Sequence, residues 1–224
     1  MDKLYLTENK YKKWIIILIL IMVLLLTLAC TALSLLLKLV QSSTLKFLLN
    51  CVAYIIIACP ALAAYKIQGG NIKQLFSKKG KSQFAAAAII FAVLSFVIAI
   101  VPALFGFSII GDAMQFDIGT FIRNAIFYIL FVGPVEEFIF RIYVQETLQN
   151  LFTKHKWLAP LLAALLFGLW HFLNGSLMQV IFTFLIGLVF GYTRYFSKSC
   201  TYITLSLSHG CYDFFNVVVR MFIL

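Results

Sequence analysis

The sequence predicts an all-α protein, a polytopic bundle of about seven transmembrane helices with the N-terminus inside and the C-terminus outside. Three observations carry that prediction. The 224 residues are 63% hydrophobic and 12% charged, with a mean hydropathy of +1.01, a composition that soluble globular proteins do not have. Apolar segments near or above about 20 residues, the length that crosses a bilayer, recur along the whole chain. Basic residues gather in short runs on alternate loops between those segments, as orientation signals do.

The expected helices span about 14–37, 45–65, 84–107, 120–149, 157–172, 176–195 and 201–224. The first follows Lys12 and Lys13 and stays apolar well past the length of a signal peptide, without an A-x-A cleavage site. Thr27-Leu28-Ala29-Cys30 has the outline of a lipoprotein cleavage site, but the apolar run continues beyond Cys30, so the segment reads as a span. The fourth helix carries Gly133-Pro134, and a proline inside a helix removes a hydrogen bond and favours a kink. In a membrane such a break is tolerated where it lines a cavity. Gly187 and Gly191 form a GxxxG in the sixth helix, a close-packing face for a partner that the sequence does not name. No stretch is long and polar enough to be a separate soluble domain, so residues 1–224 read as one membrane domain.

Orientation follows from lysine and arginine. The N-terminal tail holds Lys3, Lys10, Lys12 and Lys13, and the second-to-third loop holds Lys66, Lys73, Lys78, Lys79 and Lys81. Lys154, Lys156, Arg194 and Lys198 fall on the same side if the spans alternate. The opposite side has Lys38, Lys46, Arg123 and Arg220, beside Asp112 and Asp117. Thirteen basic residues against four make the first side cytoplasmic. The net charge of +10 is therefore an orientation signal, and no motif points to nucleic acid. The five cysteines form no disulfide framework; at least Cys30, Cys51, Cys59 and Cys211 fall within spans and read as small apolar residues.

The polar residues inside the spans carry the functional reading. Phe131 to Tyr143 places Glu136, Glu137 and Arg141 in an apolar run, where each charge costs roughly 2.5 kcal/mol or more to insert. Glu137 and Arg141 stand at i and i+4 with the acid first, the favourable order for an ion pair. Glu136 lies about 100° round the helix, which leaves it free for chemistry. A purely structural triad locking helices together is the alternative. The fifth helix ends in FGLWHFLN, with Phe167 and His171 sharing a face and Asn174 beyond. The seventh carries Ser206, His209, Asp213 and Asn216 as one polar stripe, which must meet protein or a water-filled cavity. The alternative there is an interhelical hydrogen-bond seam. Counting rises of 1.5 Å per residue puts Glu136 and His209 roughly 15 Å, and His171 roughly 20 Å, from the cytoplasmic end of their spans. Those depths are one level at ordinary tilt.

In this order, Glu136-Glu137-Phe138-Ile139-Phe140-Arg141 matches EExxxR, Phe167-Gly168-Leu169-Trp170-His171 matches FxxxH, and His209-Gly210-Cys211-Tyr212-Asp213 matches HxxxN/D. The ordered triple, on separate membrane helices, resembles the CAAX prenyl endoprotease and bacteriocin-processing family of intramembrane proteases. The resemblance covers the C-terminal half, making 120–224 the catalytic core and 1–119 accessory helices. It implies hydrolysis of a peptide bond in a membrane-associated, lipidated or bacteriocin-related substrate, in a bacterial plasma membrane. By resemblance Glu136 is the general base that activates water, with Glu137, His171, His209 and Asp213 around it and Arg141 as structural partner. Two chemistries suit these residues. Zn2+ would take His171 and His209 as ligands with one carboxylate; without metal, Glu136 and His171 polarise the water and a donor near His209 holds the oxyanion. Asp213 stands where many relatives have Asn, and an ionised Asp donates no hydrogen bond; Asn216, one turn on, is the candidate stand-in.

Two other functions compete. A bacteriocin self-immunity or scaffold protein would keep the fold without catalysis. A proton-coupled transporter would also bury Glu, His and Asp, but no inverted repeat is visible. The topology is directly testable. Single cysteines at Lys79 and Asp112, in a cysteine-free background, are expected to label from opposite sides of the membrane; labelling from the same side rejects seven spans.

Overall fold

A computed structural model describes residues 9–76, 81–106, 111–173, 177–197 and 199–224. Asn174, Lys3, Lys78, Lys79 and Lys198, named above, lie outside the described residues. The protein is all-helical, with no strand among the described residues. Its helices are α1 (Asn9–Leu39), α2 (Ser43–Ile67), the short α3 (Ile72–Leu75), α4 (Ser82–Leu104), α5 (118–151), α6 (Leu158–Trp170), α7 (Leu177–Phe196) and α8 (Tyr202–Phe222). Each long helix falls within a few residues of its expected position. Lys12–Leu39, Ser43–Ile67, Ser82–Leu104 and Leu177–Phe196 are long and apolar enough to cross a membrane. The other three differ for identifiable reasons. α5 is interrupted by charge, α6 has 13 residues, or roughly 20 Å, and α8 carries the polar stripe.

The helix ends follow local chemistry. The Ser42 side chain accepts from Leu45 N at the start of α2. Asp117 accepts from Thr120 N at 2.6 Å and caps α5. Hydrogen bonds from Thr120 hold the exposed Asp117 carboxyl below the usual carboxylate range. Thr201 and Thr204 form a reciprocal capping box at the start of α8.

In α4 and α5 a proline follows a wider π turn, whereas α2 carries Pro60 in its interior without one. Residues Ser95–Ile100 precede Pro102 in α4, and Tyr128–Val132 precede Pro134 in α5. A proline ring clashes with the carbonyl four residues back. Those carbonyls belong to Ile98 and Leu130, inside the widened turns, where the clash is relieved without ending the helix. The expected kink at Pro134 is thus a change of winding.

The chain divides into two compact units, residues 1–75 with 138–198, and residues 76–137 with 199–224. In the first unit α6 and α7 run antiparallel at very short range. A Cβ on Gly168 would stand 2.9 Å from Val180 O, one on Gly187 3.2 Å from Ala164 Cα, and one on Gly191 3.1 Å from Pro160 Cβ. The partner of the Gly187/Gly191 face is therefore α6. Residues 138–151 of α5 join this unit through Tyr65 against Phe138, Gln145 Nε2 donating to Gly191 O at 3.0 Å, and a Glu146–Arg194 ion pair.

In the second unit α8 packs between α4 and the first part of α5. It runs parallel to α4: Thr201 and Thr204 hydroxyls donate to Gln83, Ser208 Oγ to Ala87 O, and Phe91 meets Phe215 edge-on at 5.7 Å. It runs antiparallel to α5: Met114 N donates to Arg220 O, Phe121 meets Phe214 at 5.0 Å, and Tyr202 OH donates to Pro134 O at 3.0 Å. Where α5 and α8 cross, both backbones touch. A Cβ on Gly133 would stand 2.4 Å from Ser206 O, and one on Gly210 2.5 Å from Tyr128 O. Only glycine permits that approach. Gly210→Ala is expected to cost about 3 kcal/mol, the upper end of the overpacking range, since backbone cannot swing aside. Gly119→Ala, whose Cβ meets the flexible end of Arg123 at 3.0 Å and the exposed Asp117 Oδ2 at 3.4 Å, should be nearly neutral. Unfolding midpoints of the two variants in detergent compare them.

Candidate active site

The crossing at Gly133 and Gly210 places one regular turn, Gly133–Glu137, against His209. Two adjacent carboxylates then reach opposite nitrogens of one ring. Glu137 Oε1 is 2.9 Å from His209 Nδ1, and Glu136 Oε2 is 3.8 Å from Nε2. Asp213, one turn along α8, brings Oδ2 to 3.3 Å from Nε2. Burial is graded. Glu137 is 0% exposed, and Glu136 and His209 are each 4% exposed. The Asp213 side chain retains 21% and marks the accessible edge.

The proton on His209 is placed by its partners. Glu137, as a carboxylate, only accepts, so Nδ1 carries a hydrogen and donates it. Nε2 faces Glu136 and Asp213. The 3.8 Å between Nε2 and Glu136 Oε2 is too long for a hydrogen bond. It is the separation of two groups that each contact one shared oxygen at about 2.8 Å. Three carboxylates around one imidazole also leave excess negative charge even when the ring is protonated. A proton, a cation or a polarised substrate atom is therefore favoured at this point.

Sequence reasoning paired Glu137 with Arg141 and left Glu136 free. The structure adds His209 to both carboxylates, with Glu137 at Nδ1 and Glu136 on the Nε2 side. Arg141, fully buried, lies in the other unit with its guanidinium 5.0 Å from the Phe167 ring centroid, a cation–π geometry. Phe167 meets Phe140 at 5.0 Å and the His171 ring at 5.1 Å, both edge-on. His171 sits at the C-terminal end of α6, half-buried. Its Nδ1 is 2.9 Å from Phe167 O; since a carbonyl only accepts, Nδ1 donates and Nε2 keeps its lone pair. The shared face of Phe167 and His171 is as expected. Asn216 stands on α8 beside Tyr212, with Oδ1 shielded and without a partner among the described residues. Among those residues no three His, Cys, Asp or Glu side chains gather as a metal-ligand set.

Residues 118–215 match the family described as Rce1-like, type II CAAX prenyl endopeptidase. The match spans less than half of the chain and marks that segment as similar to the family. The Rce1-like segment contains Glu136, Glu137, Arg141, His171, His209 and Asp213, and stops one residue before Asn216. No curated protein and no solved structure matches the chain. The match to the Rce1-like family and the apolar helices together support an integral membrane location.

Sequence reasoning missed two contributors. Gln83 of α4 holds the start of α8 through Thr201 and Thr204, so a helix from the expected accessory region packs in the unit that carries the site. Tyr128 of α5 lies in the electrostatic neighbourhood of Asp213 and Glu136. Its position eight residues before Glu136 was the available signal, hidden by the unreadable π turn between them.

Glu137→Leu would leave the His209 Nδ1–H buried without an acceptor, at a cost of about 1–3 kcal/mol. Glu137→Gln keeps an acceptor oxygen and should lose less. Thermal unfolding of both variants in detergent checks the order; equal midpoints for the two would remove the Glu137–His209 contact as a source of stability.

Proposed function

We propose that Glu136, Glu137, His209 and Asp213 form the hydrolytic centre of an intramembrane endopeptidase, with Glu136 as the general base. The observation that carries the proposal is the division of one imidazole between two neighbouring carboxylates: Nδ1 tied to Glu137 at 2.9 Å, Nε2 turned towards Glu136 at 3.8 Å. Water held by Glu136 Oε2 and His209 Nε2 gives a proton to Glu136 and attacks the scissile carbonyl carbon. The carbonyl oxygen becomes an oxyanion. When the tetrahedral species collapses, the C–N bond breaks and the proton on Glu136 passes to the departing amine. Glu137 keeps the imidazole in one tautomer and one orientation, as a carboxylate behind a catalytic histidine does. Asp213 flanks Nε2 at the accessible edge. His171 enters through its FxxxH motif, with Nε2 as the nitrogen available for work. Arg141 is the structural partner named by EExxxR.

The substrate class is a membrane-associated peptide, lipidated near its cleavage site or related to bacteriocins, and the compartment is the bacterial plasma membrane. The lysine distribution supports a seven-span chain with a cytoplasmic N-terminus and an extracytoplasmic C-terminus. Alternating helix directions within each unit agree with that count. The core is 120–224, with the earlier helices accessory to it. A divalent ion held by His171 and His209, with zinc supplying Lewis-acid chemistry, is the second form of the proposal. The metal-free form is argued here from the distances around His209.

Glu136→Gln removes the base while keeping the shape of the side chain. It is expected to abolish cleavage, and comparison of the membrane peptidomes of cells carrying wild-type and Glu136→Gln protein reads the lost products. A biological role that persists in Glu136→Gln would point to immunity or scaffolding. Elemental analysis and chelator titration of purified protein separate the two chemistries. Zinc near one per chain, lost in His171→Ala and in His209→Ala, supports the metal form, and full activity of metal-free protein supports the form written above.

A further inference from the structure

We infer that the Tyr128 hydroxyl is the hydrogen-bond donor that holds the oxyanion, the role that Asp213 cannot fill when ionised. The inference rests on the hydrolytic reading of the site and adds a residue to it.

Helix geometry brings Tyr128 to the site. An ideal α-helix would turn it about 80° away from Glu136 over eight residues. The wide turn at Tyr128–Val132 adds backbone to one revolution and removes most of that offset, so Tyr128 and Glu136 share a face. Tyr128 also stands at the α5–α8 crossing, its carbonyl against Gly210, the neighbour of His209. Side chains on a helix lean towards its N-terminus. On α5 that direction runs from the Gly210 contact towards Phe121, which meets Phe214. The phenol therefore points along α8 to the level of Asp213. The charged groups it senses agree: Asp213, Arg220 and Glu136, all within this unit.

The chemistry of this corner is one-sided. Glu136 and Asp213 present carboxylate oxygens, which only accept. A developing oxyanion needs a hydrogen directed at it. A half-buried phenol supplies one at neutral pH without adding charge. Placed beside Asp213, it also restores the donor that an Asn there would have brought.

The test uses the full-length purified protein and the peptide that the wild-type and Glu136→Gln peptidome comparison identifies. Tyr128→Phe keeps the ring and removes only the hydroxyl. It should lower kcat about 100-fold, the effect of losing one oxyanion donor, with KM changed less than about twofold. In an Asp213→Asn background, where an amide donor is present, the same substitution should cost about tenfold or less. A peptidyl phosphonamidate that mimics the tetrahedral oxyanion should bind Tyr128→Phe more weakly in proportion to kcat, while product peptide binds as before. That affinity is read on folded protein, so it reports on the donor even if the variant is less stable. Wild-type kcat in Tyr128→Phe, an undiminished loss in the Asp213→Asn background, or unchanged phosphonamidate affinity each overturns the inference and leaves the Glu136 reading intact. Absence of any Glu136-dependent cleavage overturns that reading and this inference with it.

Discussion

Two glycines, Gly133 and Gly210, let α5 and α8 touch backbone to backbone, and the site depends on that approach. With a Cβ at either position the helices would have to separate, and the 2.9 Å contact between Glu137 and His209 would open. An ion-rich cluster in an apolar interior is stable only while each charge has a partner at close range. Close packing and the geometry of the site are therefore one requirement here. The small residues that save space also set the distance over which carboxylate and imidazole act.

The prolines contribute in the same way. Pro102 and Pro134 are both preceded by widened turns, and each helix continues past its proline. In α5 the widening does more than accommodate a ring. It alters which side chains share a face, and it leaves a single regular turn to carry Glu136 and Glu137 side by side. The adjacent acids then diverge by about 100°, enough to meet the two nitrogens of one imidazole. His209 is oriented by one of them and faces the other, so identical side chains have different environments, as acid–base chemistry requires.

The other unit shows the same economy by different means. Its α6–α7 pair relies on Gly168, Gly187 and Gly191, and its buried Arg141 is set over Phe167, whose opposite neighbours are Phe140 and His171. An aromatic face accepts a guanidinium that water cannot reach, and the same ring fixes the edge of the histidine. The EExxxR and FxxxH motifs thus share a physical element, the Phe167 ring, that neither motif names as a pair.

By itself the sequence determined the helices, their order, the membrane setting and the family resemblance of the C-terminal half, because apolar length and the spacing of Glu136, His171 and His209 are one-dimensional properties. It also singled out the GxxxG face of α7, since small residues four apart signal close packing whatever the partner. Only the tertiary structure decided which helix fills that face and that Glu137 turns to His209. Each of these depends on rotation about a helix axis. Rotation is set by π turns and by contacts between residues far apart in the chain, and neither leaves a periodic trace in the sequence.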